Sequence, residues 1–121
     1  MIIIDGESFD VPIVSITRRA DFLDKYAERT GDGILHRELI GVYKNYQIKM
    51  GTMLDMSEYK RLWDKLTEAV EFHVVTVPDF DGDSYTFTAY FSNVGDELLR
   101  VKPGKTYWRD LTVNFIARSP A

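Results

Sequence analysis

The sequence predicts an α+β protein: a mainly antiparallel β-sandwich or barrel with one amphipathic helix, about 57–70, packed on it. Two patterns carry this expectation. Apolar residues recur at Tyr59, Leu62, Trp63, Leu66, Ala69 and Val70, the three-and-four spacing of one buried helical face, with Lys60, Arg61, Asp64, Lys65 and Glu68 on the other side. Stretches before and after it alternate with period two, most cleanly at Tyr85, Phe87, Ala89, Phe91 and at Leu111, Val113, Phe115, as strands with one buried face do.

Ile2 to Ile4 followed by Asp5-Gly6 reads as a short strand and a turn, because Asp-Gly suits turn positions with positive φ. Glu7 to Thr17 continues extended, with Pro12 marking an edge or a break. Arg18 to Gly33 is dense in charge and embeds Phe22, Leu23 and Tyr26. A helix with Phe22 and Tyr26 on one face and an extended arm are both open readings of it. Its low apolar content favours an arm at about 18–33 that packs poorly on its own subunit, since so little burial does not offset an ordering cost of about 1–2 kcal/mol per residue. Ile34 to Met50 is a long β-prone stretch whose apolar parity shifts near Gly41, which predicts a bulge or bend there.

In the helix, Asp55 or Ser57 is placed to cap the first turn, and Asp55 with Glu58 has capping-box spacing. Trp63 is the expected anchor, with a predicted loss of about 3–5 kcal/mol for Trp63→Ala. Phe72–Val77 and Tyr85–Phe91 are expected to pair around an Asp79–Asp83 turn with Phe87 buried, Asn93 to Lys105 reads as a loop, and Tyr107 to Ala117 is the last strand.

At 121 residues the chain is read as a single domain, 1–121. A net charge of −4 argues against nucleic-acid specificity, which calls for a basic face. With no cysteine there is no disulfide framework, thiol nucleophile or Cys-based zinc site. The opening Met-Ile-Ile-Ile-Asp-Gly lacks the basic and long apolar regions of a signal peptide, and no apolar run approaches the ~20 residues of a membrane span, so a soluble protein made in the cytosol is expected, with no membrane partner.

No motif for chemistry survives inspection. Asp79, Asp81 and Asp83 have calcium-loop spacing, but the positions that need Gly and Glu hold Ser84 and Tyr90, so an acidic hairpin turn is the better account. His36 and His73, the two histidines, lie in strands without a ligand partner at metal spacing or a triad motif. Gly31-Asp32-Gly33 is followed by neither Lys-Ser/Thr nor a helix and is not a phosphate loop. The expectation is therefore a non-enzyme with no catalytic residue, metal or cofactor. Arg18, Arg19, Phe22, Tyr26, Tyr43 and Tyr46 are the candidate interface residues.

The order of these segments resembles a known pattern. The N-terminal Ile-x-Ile-x-Gly leads to a charged arm ending at Gly31-Asp32-Gly33, then a long strand with alternating basic residues from Arg37 to Lys49. A Ser-Glu-Tyr helix, an Asp79–Gly82 hairpin turn and the strand Thr86–Phe91 follow, and the chain closes on Trp108-Arg109-Asp110-Leu111 running to Ile116. It resembles the small tail-associated structural proteins of siphophages and prophages of Gram-positive bacteria, tail-tube and baseplate components among them. That resemblance implies a tail-tube-like β fold with a flanking helix, a homo-oligomeric ring, other tail proteins as partners, and a location in the virion tail after synthesis in the bacterial host cytoplasm. A ligand- or carbohydrate-binding β-module is the alternative, on the Tyr and Trp content and the acidic turn.

Overall fold

The computed structural model describes residues 2–51 and 56–121, with the backbone alone at 99, 100, 105 and 107. Strands β1 (Ile2–Ile4), β2 (Glu7–Phe9), β3 (Ile13–Arg29) and β4 (Leu35–Met50) precede the helix α1 (Met56–Leu66); β5 (His73–Pro78), β6 (Ser84–Lys102) and β7 (Lys105–Ala117) follow it. They form one seven-stranded sheet in the order β2-β1-β5-β6-β7-β4-β3, antiparallel throughout. The mostly antiparallel β architecture with one helix is thus as expected.

The sheet cannot be flat. Strands β2 and β3 are its two edges, about 29 Å apart if seven strands at ~4.8 Å spacing lay in a plane. Yet only Asp10, Val11 and Pro12 connect them, and four Cα steps of ~3.8 Å reach about 15 Å at most. The sheet therefore curls until its edges approach. Side chains show the same closure: Arg18 on β3 reaches Asp79 beyond β5 at 2.6 Å, and the Tyr46 ring of β4 stacks on Tyr85 at 5.9 Å and lies tilted against Phe87 at 5.5 Å, both on β6.

The inner face is built by period-two alternation. Ile2 and Ile4, His73, Val75 and Val77, Tyr46, Ile48 and Met50, and Leu111, Val113, Phe115 and Ala117 are all buried. Tyr59, Leu62 and Leu66 of α1 join the same core. Trp63 is only half-buried at its rim, which corrects the expected anchor: the adjacent Leu62 takes the central position. The helix also ends earlier than expected, at Leu66. Both the Thr67 amide and its hydroxyl bond the Trp63 carbonyl, at 3.0 and 2.8 Å, so Ala69 and Val70 fall past the last turn and Val70 is exposed. The Asp55 cap lies outside the described residues, and Ser57 is a helical residue.

Two sequence expectations in the outer strands are corrected. Residues 93–102 are not a loop but the continuation of β6, paired with β7 as far as Lys102↔Lys105. Residues 18–29 are neither a helix nor a lone arm: they are the distal part of β3, paired with β4 out to Arg29↔Leu35. The Gly41 irregularity is present, since Leu23 opposes Gly41 but Asp24 opposes Leu39, leaving Ile40 as the extra residue. Phe72 precedes β5 rather than starting it, and the predicted hairpin pairs as expected, His73↔Ala89 to Pro78↔Ser84, with Phe87 half-buried.

Candidate self-assembly surface

Strands of 16 to 19 residues are about three times the usual length, and the body of the sheet uses only part of each. Strand β4 pairs with β7 over Tyr46–Lys49 alone, so its first eleven residues and the β3 strand beside them leave the sheet as a two-stranded ribbon. The same register shows where this ribbon goes. Moving from Tyr46 toward Leu35 corresponds to moving from Phe115 past Ala117, while the β6–β7 tip continues beyond Met50. The two hairpins therefore project from opposite ends of the sheet.

The β3–β4 ribbon keeps its shape by polar links between and along its own strands. Arg37 pairs with Asp24 at 2.5 Å and lies over the Phe22 ring at 5.3 Å; Asn45 donates to Asp21 at 2.6 Å, and Arg19 also reaches Asp21, at 3.0 Å. Bonds from Arg19 and Asn45 outweigh the effect of burial and hold the Asp21 carboxyl below the usual range. At the tip, Thr30 and the Ile34 amide both bond Asp32, and Arg29 caps the Gly33 carbonyl at 2.9 Å. The Gly31-Asp32-Gly33 turn thus acts as a hairpin turn.

With the polar groups engaged in this way, the large apolar side chains are left outside. Phe22 is 60% exposed, Ile34 56% and Ile40 53%, and Leu23, Tyr26, Leu35 and Leu39 are exposed beside them. The backbone edge of β3 is the edge of the whole sheet, and above Tyr46 β4 has no neighbouring strand on its other side, only the chain end, whose Ala121 N–H bonds the Val42 carbonyl. Long, exposed apolar edges are what isolated β proteins suppress and assembling ones use.

Of the six interface candidates, Phe22 and Tyr26 stand exposed on this ribbon and Tyr43 is half-buried at its base. Arg18 and Arg19 are exposed but already paired, with Asp79 and Asp21. Tyr46 is different: at 3% exposure it is a core residue and offers no surface to a partner. Reading single strands missed Ile34, Leu35, Leu39 and Ile40, which sit in an ordinary β pattern; only the missing neighbour strand makes them surface.

A second cluster was invisible in sequence because its members are far apart. Asp5, Glu68 and His73 bring ligand atoms within 4.8 Å of one another. The buried His73 ring stacks on Phe91 and shares a 2.6 Å hydrogen bond from Nδ1 with Asp5, whose other oxygen accepts from the Val74 amide. The cluster already holds a cation, the Lys65 ammonium, at 3.4 Å from Asp5, 3.1 Å from Glu7 and 3.0 Å from Glu68. Glu68 first, then Glu7 and Asp5, hold Lys65 charged by pushing its pKa up. This arrangement ties the β1–β2 turn to α1 and β5. Asp79, the first acid of the calcium-like turn, is likewise engaged by Arg18.

Among the described residues, no helix is long and apolar enough to cross a membrane. Comparison with protein-family models, curated proteins and solved structures yields no match.

Proposed function

We propose that this chain is a non-enzymatic structural protein that assembles with copies of itself through the β3–β4 ribbon, as a component of a phage or prophage tail. One observation carries the self-assembly reading: a ribbon of two paired strands, stiffened by its own ion pairs, that carries seven large exposed apolar side chains and the open backbone edge of β3. The eleven residues of β4 that do not pair with β7 span about 36 Å, and two strands are about 10 Å wide. Each face thus offers roughly 360 Å², and the two together approach the ~800 Å² per partner of a stable interface. The tail assignment rests on the resemblance of the segment order and of the closing strand Trp108 to Ile116. A ring is the closed form that such a two-faced ribbon favours, because each copy then both offers and receives one.

The purified protein is expected to sediment as an oligomer, and Phe22→Asp with Leu39→Lys to sediment as a folded monomer with an unchanged circular dichroism spectrum. An oligomer unaffected by these substitutions would remove the ribbon from the interface. For the tail role, particles made without this gene should have absent, mis-sized or tipless tails by electron microscopy; normal infectious tails would refute it.

A further inference from the structure

We infer that Asp5, Glu68 and His73 form a binding site for one divalent transition metal of the zinc class, and that Lys65 competes with the ion for it. The β3–β4 ribbon plays no part in this site, so the inference stands apart from the self-assembly reading. Three segments meet here: Asp5 lies in the β1–β2 turn, Glu68 two residues past the end of α1, and His73 opens β5. Their ligand atoms, two carboxylate oxygens and one imidazole nitrogen, lie within 4.8 Å of one another. Nδ1 of His73 is 2.6 Å from Oδ2 of Asp5. Ligands about 2.0–2.1 Å from a tetrahedral ion stand about 3.3 Å apart. Asp5 and His73 thus part slightly around an ion, and the Glu68 oxygen closes onto it. Neutral imidazole ligates through Nδ1 once its proton sits on Nε2, so the hydrogen bond to Asp5 is exchanged for two metal bonds. Water completes the four ligands from the exposed side, where Asp5 and Glu68 lie.

Two of the three ligands are already held in place. The Val74 amide donates to Oδ1 of Asp5 at 2.9 Å, and the Asp5 amide donates to the Val74 carbonyl at 2.7 Å. The carboxylate is thereby fixed with Oδ2 toward His73. The His73 ring is 3% exposed and lies parallel to Phe91, with centroids 4.5 Å apart. Contacts of this kind orient metal ligands from behind and lower the cost of assembling them. The donor set also selects the ion. One imidazole nitrogen with two carboxylates suits zinc, cobalt or nickel, whereas magnesium and calcium take oxygen shells of roughly six or more.

Charge explains why the ammonium does not satisfy the cluster. Asp5, Glu7 and Glu68 all face Lys65, at 3.4, 3.1 and 3.0 Å. The next cation, Arg61, is 3.7 Å from Glu7 but is shared with Glu58 at 2.6 Å. Three carboxylates therefore divide little more than one positive charge. A divalent ion on Asp5 and Glu68 balances both, and Lys65 keeps Glu7. The ion then clips the β1–β2 turn, the exit of α1 and the start of β5 together, so its binding energy adds to the stability of the fold.

The test titrates the full chain, stripped of metal with a chelator, with zinc chloride in a calorimeter. One zinc per chain should bind and raise the melting temperature. In the imidazole nitrogen spectrum the His73 Nδ1 signal should move and the signals of the exposed His36 should not. Glu68→Gln, at an exposed position outside the helix, should keep the fold and weaken binding by about tenfold or more. Lys65→Met removes the competing charge but keeps the length of the side chain, and should bind at least about fivefold more tightly. His36→Gln should bind as wild type does. No zinc bound, zinc that moves His36 and not His73, affinity unchanged by Glu68→Gln, or Lys65→Met that binds no tighter would each overturn the inference.

Discussion

At the scale of residues, Asp5 concentrates more of the structure than its place in a two-residue turn suggests. Its φ of 51°, followed by 83° at Gly6, makes the tight β1–β2 turn, and its carboxylate then serves His73, Val74 and Lys65 at once. Burial raises the Asp5 pKa, but the hydrogen bonds from His73 and from the Val74 amide outweigh it, so the carboxyl titrates below its ordinary value. A carboxylate depressed in the folded state contributes stability that is complete above its unfolded pKa, about 3.9, and is lost as pH falls through the folded one. Asp5→Asn keeps a residue that tolerates positive φ and removes the charge. It is expected to lower stability by about 1–3 kcal/mol at neutral pH. Urea melts across the acid range should show wild type converging on the variant below pH ~4; a constant gap would mean that the charge of Asp5 does not matter.

Tyr59 shows the same economy on the helix. Burial and the Asp96 carboxylate, which accepts its hydroxyl hydrogen bond, both push the phenol pKa up, so the ring stays neutral and pins α1 to β6.

At the scale of elements, α1 works through one narrow stripe. Leu62 is fully buried with Tyr59 and Leu66 on adjacent turns, whereas Trp63 packs at the rim. Leu62→Ala should therefore cost about 2–5 kcal/mol and Trp63→Ala less, reversing the order that side-chain size alone predicts. Chemical denaturation of the two variants decides this, and a larger loss at Trp63 would place the indole at the centre of the core. Arg61 and Lys65 fix the stripe's orientation from outside: Arg61 caps the Ser8 carbonyl at 2.7 Å and lies 4.2 Å over the Phe9 ring, while Lys65 reaches the β1–β2 turn.

At the scale of the molecule, body and ribbon separate by where their contacts are. The core contains residues of β1, β2, β5, β6, β7, α1 and the inner halves of β3 and β4, and no residue between 17 and 45 belongs to it. Replacing residues 22–42 by an Asn-Gly turn joins Asp21 to Tyr43, a pair already directly opposed. The shortened protein should keep its spectrum and cooperative melt yet sediment as a smaller species than the full chain. Loss of the cooperative melt would show that the ribbon is part of the folding unit. The segment 118–121 would lose contacts, because Pro120 packs where a Cβ on Gly41 would come within 2.4 Å and Ala121 N–H bonds the Val42 carbonyl at 2.8 Å.

By itself the sequence determined the local periods: a helix beginning near 57, though not its end at Leu66, the inward residues on β7, the strand pair around the Asp79–Asp83 turn, the turn at Asp5-Gly6, and the break near Gly41. These follow from spacing and backbone preference, which act within a few residues. Only the tertiary structure decided which alternating stretches have a neighbour. The same alternation puts Ile48 inside and Ile40 outside, because β7 lies beside one and not the other. The length of β6 was hidden for the same reason: pairing with β7 overrides the loop-like residues Asn93, Gly95 and Asp96. The Asp5–His73 link spans 68 positions and exists only because β1 pairs with β5. Sequence carries each side chain's preference for water or core, but the sheet register assigns its surroundings, and that is a property of chain segments far apart.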